Sequence, residues 1–176
     1  MSGIPIFGAS RGIALGLLLG AAAVVDFRQR RIPNPLVLAI AVLGIASAVL
    51  WQPGLRGLVS AFGGLATGLT IWLPFWLFGM LGAGDVKLFA AGAAWLGPRA
   101  AVEGALLTAI TGGVVALVVM IAQFGAGPTL MRLGHAIQHP ASLRVEDAPR
   151  EAYRLPYSVA IAVGLLLAGW WPGIVI

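Results

Sequence analysis

Long apolar runs, broken by short polar or charged segments, repeat along the whole chain. The runs are continuous rather than alternating, which favours membrane helices over the strands of a barrel. Because the core of a bilayer is about 30 Å thick, each crossing helix needs roughly 20 apolar residues. Five runs fit that requirement, and they predict helices over residues 12–25 (with a start anywhere from 4 to 12), 36–51, 58–78, 105–124 and 157–175.

A sixth apolar run, 86–96, is short enough to be either a spanning helix or a re-entrant segment. The positive-inside rule decides between the two, because cytoplasmic loops carry the excess of Lys and Arg. A spanning helix puts eight basic residues in the cytoplasm and three outside, whereas a re-entrant segment puts four inside and seven outside. The eight are Arg28, Arg30, Arg31, Lys87, Arg132, Arg144, Arg150 and Arg154; the three are Arg11, Arg56 and Arg99.

The sequence therefore predicts an all-α, polytopic membrane protein with six transmembrane helices and both termini in the periplasm. The whole chain, 1–176, is predicted to be one membrane-embedded domain. Residues 125–155 are predicted to form a cytoplasmic loop, in which the mixed apolar and basic segment 129–138 resembles an interfacial helix. A cleaved signal peptide is the rival interpretation of the first run. The charged stop after it and the apolar runs that follow favour a retained helix.

Glycines recur at four-residue spacing on two of the predicted helices. They are Gly12, Gly16 and Gly20 on the first, and Gly64 and Gly68 on the third. Such spacing lets helix backbones approach closely. The pattern predicts packing within one chain, and association of two chains is the alternative.

Composition supports the membrane prediction and excludes several kinds of functional site. The chain is 60% hydrophobic and 10% charged, with a mean hydropathy of +0.98, whereas soluble domains carry about 25% charged residues. It has no cysteine, which excludes disulfides, thiolate metal sites and a cysteine nucleophile. The net charge of +5 is attributed to membrane orientation, and no nucleic-acid partner is predicted.

Candidate catalytic groups emerge by elimination among the six acidic residues. Glu146, Asp147 and Glu151 lie in the polar loop and are expected to be solvated. Glu103 follows Arg99 by four residues, which predicts a pair at the outer rim. Asp26 and Asp85 remain, and each lies where an apolar helix meets the cytoplasmic surface. Carboxylates in such places are costly and mark functional sites.

Each of these two aspartates also has a structural explanation. Asp26 ends the first helix, where the helix dipole disfavours an acid, and it could pair with Arg28 or Arg30. Asp85 starts the fourth helix, where it could serve as an N-cap or pair with Lys87. The predicted topology places both aspartates on the same side, although 59 residues separate them (85 − 26).

Two neighbouring carboxylates tend to share one proton, so one can accept a proton from water while the other polarises a carbonyl. Gly82 and Gly84 lie beside Asp85 and leave room for a substrate backbone. The other chemistry on offer is a metal site at His135 and His139, which have helical i, i+4 spacing. No matching carboxylate follows them and Pro140 ends the segment, so neither a metal nor another cofactor is predicted.

Three segments carry a resemblance to the type IV prepilin peptidases. "DFRQRRIPN", residues 26–34, resembles the segment of that family in which an aspartate precedes Ile-Pro-Asn. "GAGDVKL", residues 82–88, is similar to its Gly-x-Gly-Asp motif. "RLPYSVAIAVG", residues 154–164, is similar to its C-terminal Pro-Tyr segment.

The resemblance implies an aspartyl endopeptidase of the bacterial inner membrane. Such an enzyme removes the basic leader of pilin-like precursors on the cytoplasmic side, typically after a glycine. The precursors and the lipid bilayer are thus the implied partners. Asp26 and Asp85 match the two catalytic aspartates. The supporting motif positions are Gly82, Gly84, Lys87, Ile32, Pro33, Asn34, Pro156 and Tyr157.

Two departures from the family pattern matter. The connection after the first helix is short and has no cysteine, so the N-methylation of the larger members is not expected here. The chain is similar instead to the short members that accompany tight-adherence (Flp) pili. Ser158 replaces the glycine that usually follows Pro-Tyr. The rival interpretations are an intramembrane aspartyl protease with other substrates, and an ion-coupled transporter or assembly subunit.

Overall fold

The computed structural model describes residues 8–127, 129, 131, 134, 138 and 157–170. Within these residues the regular structure is entirely helical, as the continuous apolar runs predict. The helices are α1 (Ala9–Gln29), α2 (Asn34–Trp51), α3 (Leu55–Leu77), α4 (Ala83–Leu96), α5 (Pro98–Phe124) and α6 (Tyr157–Trp170). The interfacial helix predicted at 129–138, the histidines of the rejected metal site and Pro156 fall wholly or largely outside the described residues.

Four helices, α1, α2, α3 and α5, are long and apolar enough to cross a membrane. Helix α4 has 14 residues, which corresponds to about 21 Å. It nevertheless extends along most of α1, since Asp85 near its start is within electrostatic range of Asp26 in the last turn of α1, and the Trp95 carbonyl near its end accepts a hydrogen bond from Arg11 in the first turn. Six membrane crossings and periplasmic termini remain predictions.

Helix α4 is the central helix of the bundle. Every residue from Leu88 to Leu96 is buried, and so is Val86. Gly68 of α3 lets that helix pack directly on the backbone of α4, because a Cβ at Gly68 would lie 3.0 Å from the Ala90 Cα. The central position fixes Asp85, at the N-terminal end of α4, near the ends of the surrounding helices.

Glycine contacts show where the four-residue spacing acts. Gly64 and Gly68 face α4, and a Cβ on Gly12 would lie 2.9 Å from the Trp170 indole nitrogen of α6. Packing within the chain is therefore confirmed for these three. Gly16 makes only ordinary contact with Leu166, and Gly20 has no atom within 4 Å of its Cβ position among the described residues.

The Arg99–Glu103 pair is present, at 3.8 Å between Nε and Oε1. The predicted rim position is wrong for Glu103, whose side chain is 1% exposed. The i, i+4 spacing sets the pair but does not determine which face of α5 carries it, and α5 turns Glu103 into the bundle.

Candidate active site

Asp26 lies in the last turn of α1, at the end of the bundle where α4 and α6 begin. Its backbone carbonyl accepts the N–H of Arg30, and Arg30 ends the helix in the left-handed conformation, with φ of 51°. The Asp26 side chain accepts a hydrogen bond from the hydroxyl of Ser158, at 2.7 Å between Oγ and Oδ2. Asp26 is therefore held by α6 rather than by its own helix.

Asp85 lies in the first turn of α4, outside the four candidate spans. Asp85 is not the N-cap residue itself, because Gly82 holds that position and Ala83 and Gly84 are already helical. It is the third helical residue, and its carboxylate accepts a hydrogen bond from the Gly82 backbone, so it still stabilises the start of the helix. Burial raises the pKa of Asp85 to about 6, the negative charge of Asp26 adds to the rise, and a hydrogen bond with the Gly82 backbone opposes it. The two carboxylates are thus within electrostatic range.

Ion pairs do not account for the two aspartates in the part of the chain that the structure describes. The single salt bridge found there is Arg99–Glu103. Lys87, the predicted alternative partner of Asp85, instead donates to Asn34 Oδ1 at 3.4 Å. The salt-bridge explanations raised by the sequence are therefore not supported among these residues.

The segment between α1 and α2 packs onto the start of α4. A Cβ on Gly84 would lie 3.5 Å from the Ile32 side chain, an ordinary contact distance, so Ile32 packs beside Gly84. Pro33 is extended, with φ of −64° and ψ of 132°, and serves as the N-cap of α2. Asn34, whose side chain is of a type that often caps helices, is the first helical residue of α2 and bonds to Lys87. The two motifs are thereby joined beside the aspartates.

Helix α6 contributes two side chains to the same end of the bundle. The Tyr157 phenol is within electrostatic range of Asp85, and its ring packs edge-on against Trp72 at 5.9 Å between centroids. Ser158 is completely buried. The sequence marked Ser158 only as a departure from a family pattern, and nothing in a single sequence shows which side chain it faces.

An apolar groove of about 510 Å³ has Tyr157 in its lining. Its walls are α3 and α5, with Met80 of the α3–α4 connection and Tyr157 at one end. Trp72 lies in the wall, and its buried indole N–H has no hydrogen-bond partner among the described residues. Neither aspartate lines the groove, but Tyr157 connects it to Asp85.

The arrangement fits general acid–base chemistry on a carbonyl. A carboxyl whose pKa lies near 6 carries a proton in part at near-neutral pH, while a second carboxylate accepts protons. Within the described residues no cluster of three metal-ligating side chains occurs. The chemistry that these side chains can supply themselves is activation of water.

The raised pKa of Asp85 makes a prediction for stability. The folded protein holds this proton more tightly than the unfolded chain, whose ordinary value is 3.8, so stability falls as the pH rises from about 4 to 6. Above that window the loss is constant. Asparagine does not ionise, so Asp85→Asn removes this pH-dependent loss of stability. The thermal midpoint of the variant should exceed that of the wild type by an amount that grows between pH 4 and 6 and stays constant above pH 6.

Thermal melts in detergent across this pH range check the prediction, with Asp147→Asn as the matched control. A difference between Asp85→Asn and the wild type that is the same at pH 4 and pH 7 would contradict it.

A known protein family matches the part of this chain that holds both aspartates. The model of the type IV leader peptidase family matches residues 13–117, which include both aspartates and exclude α6. Proteins named prepilin leader peptidase/N-methyltransferase are similar in sequence. The one from Xanthomonas campestris pv. campestris is 31% identical over 119 residues, 63% of this chain and 40% of that protein. The one from Burkholderia pseudomallei is 33% identical over 116 residues, 62% and 37%.

A third such protein, from Pectobacterium carotovorum subsp. carotovorum, is 33% identical over 132 residues, 67% of this chain and 43% of that protein. The chain thus spans about two fifths of the length of the curated relatives it matches. No solved structure matches it significantly.

Proposed function

The chain belongs to the type IV leader peptidase family, and from that premise we propose that it is an aspartyl endopeptidase which cleaves the leader of type IV prepilin-like precursors. The observation that carries the proposal is that Asp26 and Asp85 lie within electrostatic range of each other at one end of the bundle. We place cleavage at the cytoplasmic face of the bacterial inner membrane. This placement follows the positive-inside distribution of Lys and Arg.

The proposed reaction uses the pair without any other group. Asp26 takes a proton from water as the water oxygen bonds to the scissile carbonyl carbon. Asp85 gives its proton to the carbonyl oxygen, and a tetrahedral diol results. On collapse the C–N bond breaks, the leaving nitrogen receives the proton held by Asp26, and Asp85 regains one from the diol. Both carboxyl groups return to their starting states.

The groove is the proposed seat for the apolar helix of the precursor. It is apolar along α3 and α5 and ends at Tyr157, next to Asp85. A helix lying there places the residues that precede it, the leader junction, beside the carboxylates.

Filling the groove should therefore weaken substrate binding more than chemistry. Ala109 lines the groove, and we expect Ala109→Trp to raise KM by about 10-fold or more through steric exclusion, with kcat little changed. Steady-state cleavage of a purified precursor measures both constants. Ile110→Trp is the matched control, since Ile110 is 58% exposed and is not part of the groove wall.

If Ala109→Trp keeps the wild-type KM, the groove does not hold the precursor. A lipid chain is then the better candidate for its occupant.

We also propose that the chain does not methylate the new N-terminus. The connection between α1 and α2 is only four residues, 30–33, and the chain has no cysteine. The larger family members implied by the sequence resemblance carry a cysteine-containing domain there.

Cleavage in liposomes tests both parts of the proposal. The purified chain is mixed with a precursor that has a basic leader, a glycine and an apolar helix, and the products are weighed by mass spectrometry. We expect one cut after the glycine and an unmethylated product, even with a methyl donor present. An intact precursor, together with ion flux through the same liposomes, would favour the transporter alternative.

A further inference from the structure

The contact between Ser158 and Asp26 joins two residues that are 132 positions apart in the chain. Within the described residues it is the only hydrogen bond that a side chain makes to either aspartate of the pair. The distance of 2.7 Å is in the range of hydrogen bonds from a hydroxyl to a carboxylate. Ser158 is fully buried, so its hydroxyl cannot form a hydrogen bond to bulk water in place of the one to Asp26.

The identity of the residue matters because the family pattern implied by the sequence has a glycine at this position. Glycine has no side-chain donor, so a side-chain hydrogen bond to Asp26 from this position is a feature of this chain. The serine lies in the first turn of α6, next to Tyr157. One short segment of α6 therefore interacts with both carboxylates. Ser158 donates a hydrogen bond to Asp26, and the Tyr157 phenol is within electrostatic range of Asp85.

Resting on the peptidase function proposed above, we propose that Ser158 is a positioning residue, whose hydroxyl fixes Asp26 through Oδ2 so that Oδ1 takes the proton from the attacking water. The water O–H bond breaks toward Oδ1 and its oxygen bonds to the carbonyl carbon. The electron pair of the carbonyl moves to its oxygen, which receives the proton of Asp85. Asp26 and Asp85 thus have distinct parts in the first step, with Asp26 as base and Asp85 as acid.

Kinetics provide the first measurement. Ser158→Ala and Ser158→Gly are expected to lower kcat by about 10- to 100-fold, the effect of losing one hydrogen bond to a charged group, and to leave KM near its wild-type value. Thr111→Ala is the matched control. It removes a hydroxyl that donates to the Ala160 carbonyl of α6, at 3.2 Å, but touches neither carboxylate.

Carbon-13 NMR provides a measurement that does not depend on cleavage. The chain has three aspartates, Asp26, Asp85 and Asp147, so carboxyl-labelled aspartate gives three signals that single Asn variants assign. Ser158→Ala should move the Asp26 signal and leave that of Asp147 in place, whereas Thr111→Ala should move neither.

The outcomes separate this inference from the function it rests on. Wild-type kcat in both Ser158 variants, losses no larger than that of Thr111→Ala, or an unmoved Asp26 signal would overturn the positioning role while leaving the peptidase proposal intact. A wild-type chain that leaves the precursor whole rejects the peptidase proposal, and with it the catalytic use of the contact, even if the Asp26 signal moves.

Discussion

Replacing Asp26 or Asp85 by asparagine should stop processing of a co-expressed precursor, with the cleavage rate lower by a factor of about 10² to 10⁴. Asparagine keeps the shape of the side chain but neither accepts a proton from water nor gives one to a carbonyl. A gel shift between precursor and mature protein in cells, followed by rates with purified components, makes the measurement. Asp147→Asn applies the same chemical change to the third aspartate and should process normally.

The two variants should remain folded, which distinguishes lost chemistry from lost protein. The fold disfavours the charged form of Asp85, whose pKa is raised to about 6. Asparagine carries no charge, so the substitution is not expected to unfold the protein. Full processing by either variant would reject the paired mechanism. Loss of processing together with loss of the folded protein would point to a structural role instead.

The second large effect is expected where the helix backbones meet. A Cβ at Gly64 would collide with the Ala93 carbonyl oxygen of α4, and one at Gly164 would collide with Thr108 of α5. Backbone atoms cannot rotate away as the end of a side chain can. Gly64→Ala and Gly164→Ala should each destabilise the fold by about 3 kcal/mol, the upper part of the overpacking range, or more.

Controls for this prediction lie on the same protein. Gly20 and Gly113 have no described atom within 4 Å of their Cβ positions, and alanine is about 0.5–1 kcal/mol better than glycine in a helix. Gly20→Ala and Gly113→Ala should therefore keep or raise the thermal midpoint in detergent, measured by size-exclusion chromatography of the heated protein. Equal thermal midpoints for Gly64→Ala and Gly20→Ala would contradict the prediction and show that α3 and α4 can move apart at little cost in stability.

Much of the helical architecture could be predicted from the sequence because apolar length is a property of each segment alone. The runs that form α1, α2, α3 and α5 are visible in this way, and both aspartates stand out since so few acids occur. Helix ends were less predictable. Asn34 and Asp85 have the chemistry of caps, but each lies inside its helix, where Asn34 bonds to Lys87 and Asp85 faces Asp26.

The remaining parts of the site depend on which helix faces which. The packing of Ile32 beside Gly84 and the hydrogen bond from Ser158 to Asp26 join residues that are 52 (84 − 32) and 132 positions apart. Hydrophobic periodicity on α6 cannot say that its first turn meets the end of α1. The groove likewise forms only when α3, α5 and the connection after α3 come together.

The first turn of α6 has a consequence for how this chain can be divided. The stretch that matches the family model, 13–117, contains both carboxylates. The Ser158 hydroxyl that bonds to Asp26 and the Tyr157 phenol within electrostatic range of Asp85 both lie outside that stretch. The unit that sequence comparison detects is therefore shorter than the unit that assembles the site. A truncation to the matched stretch retains both carboxylates and discards the α6 side chains that lie next to them.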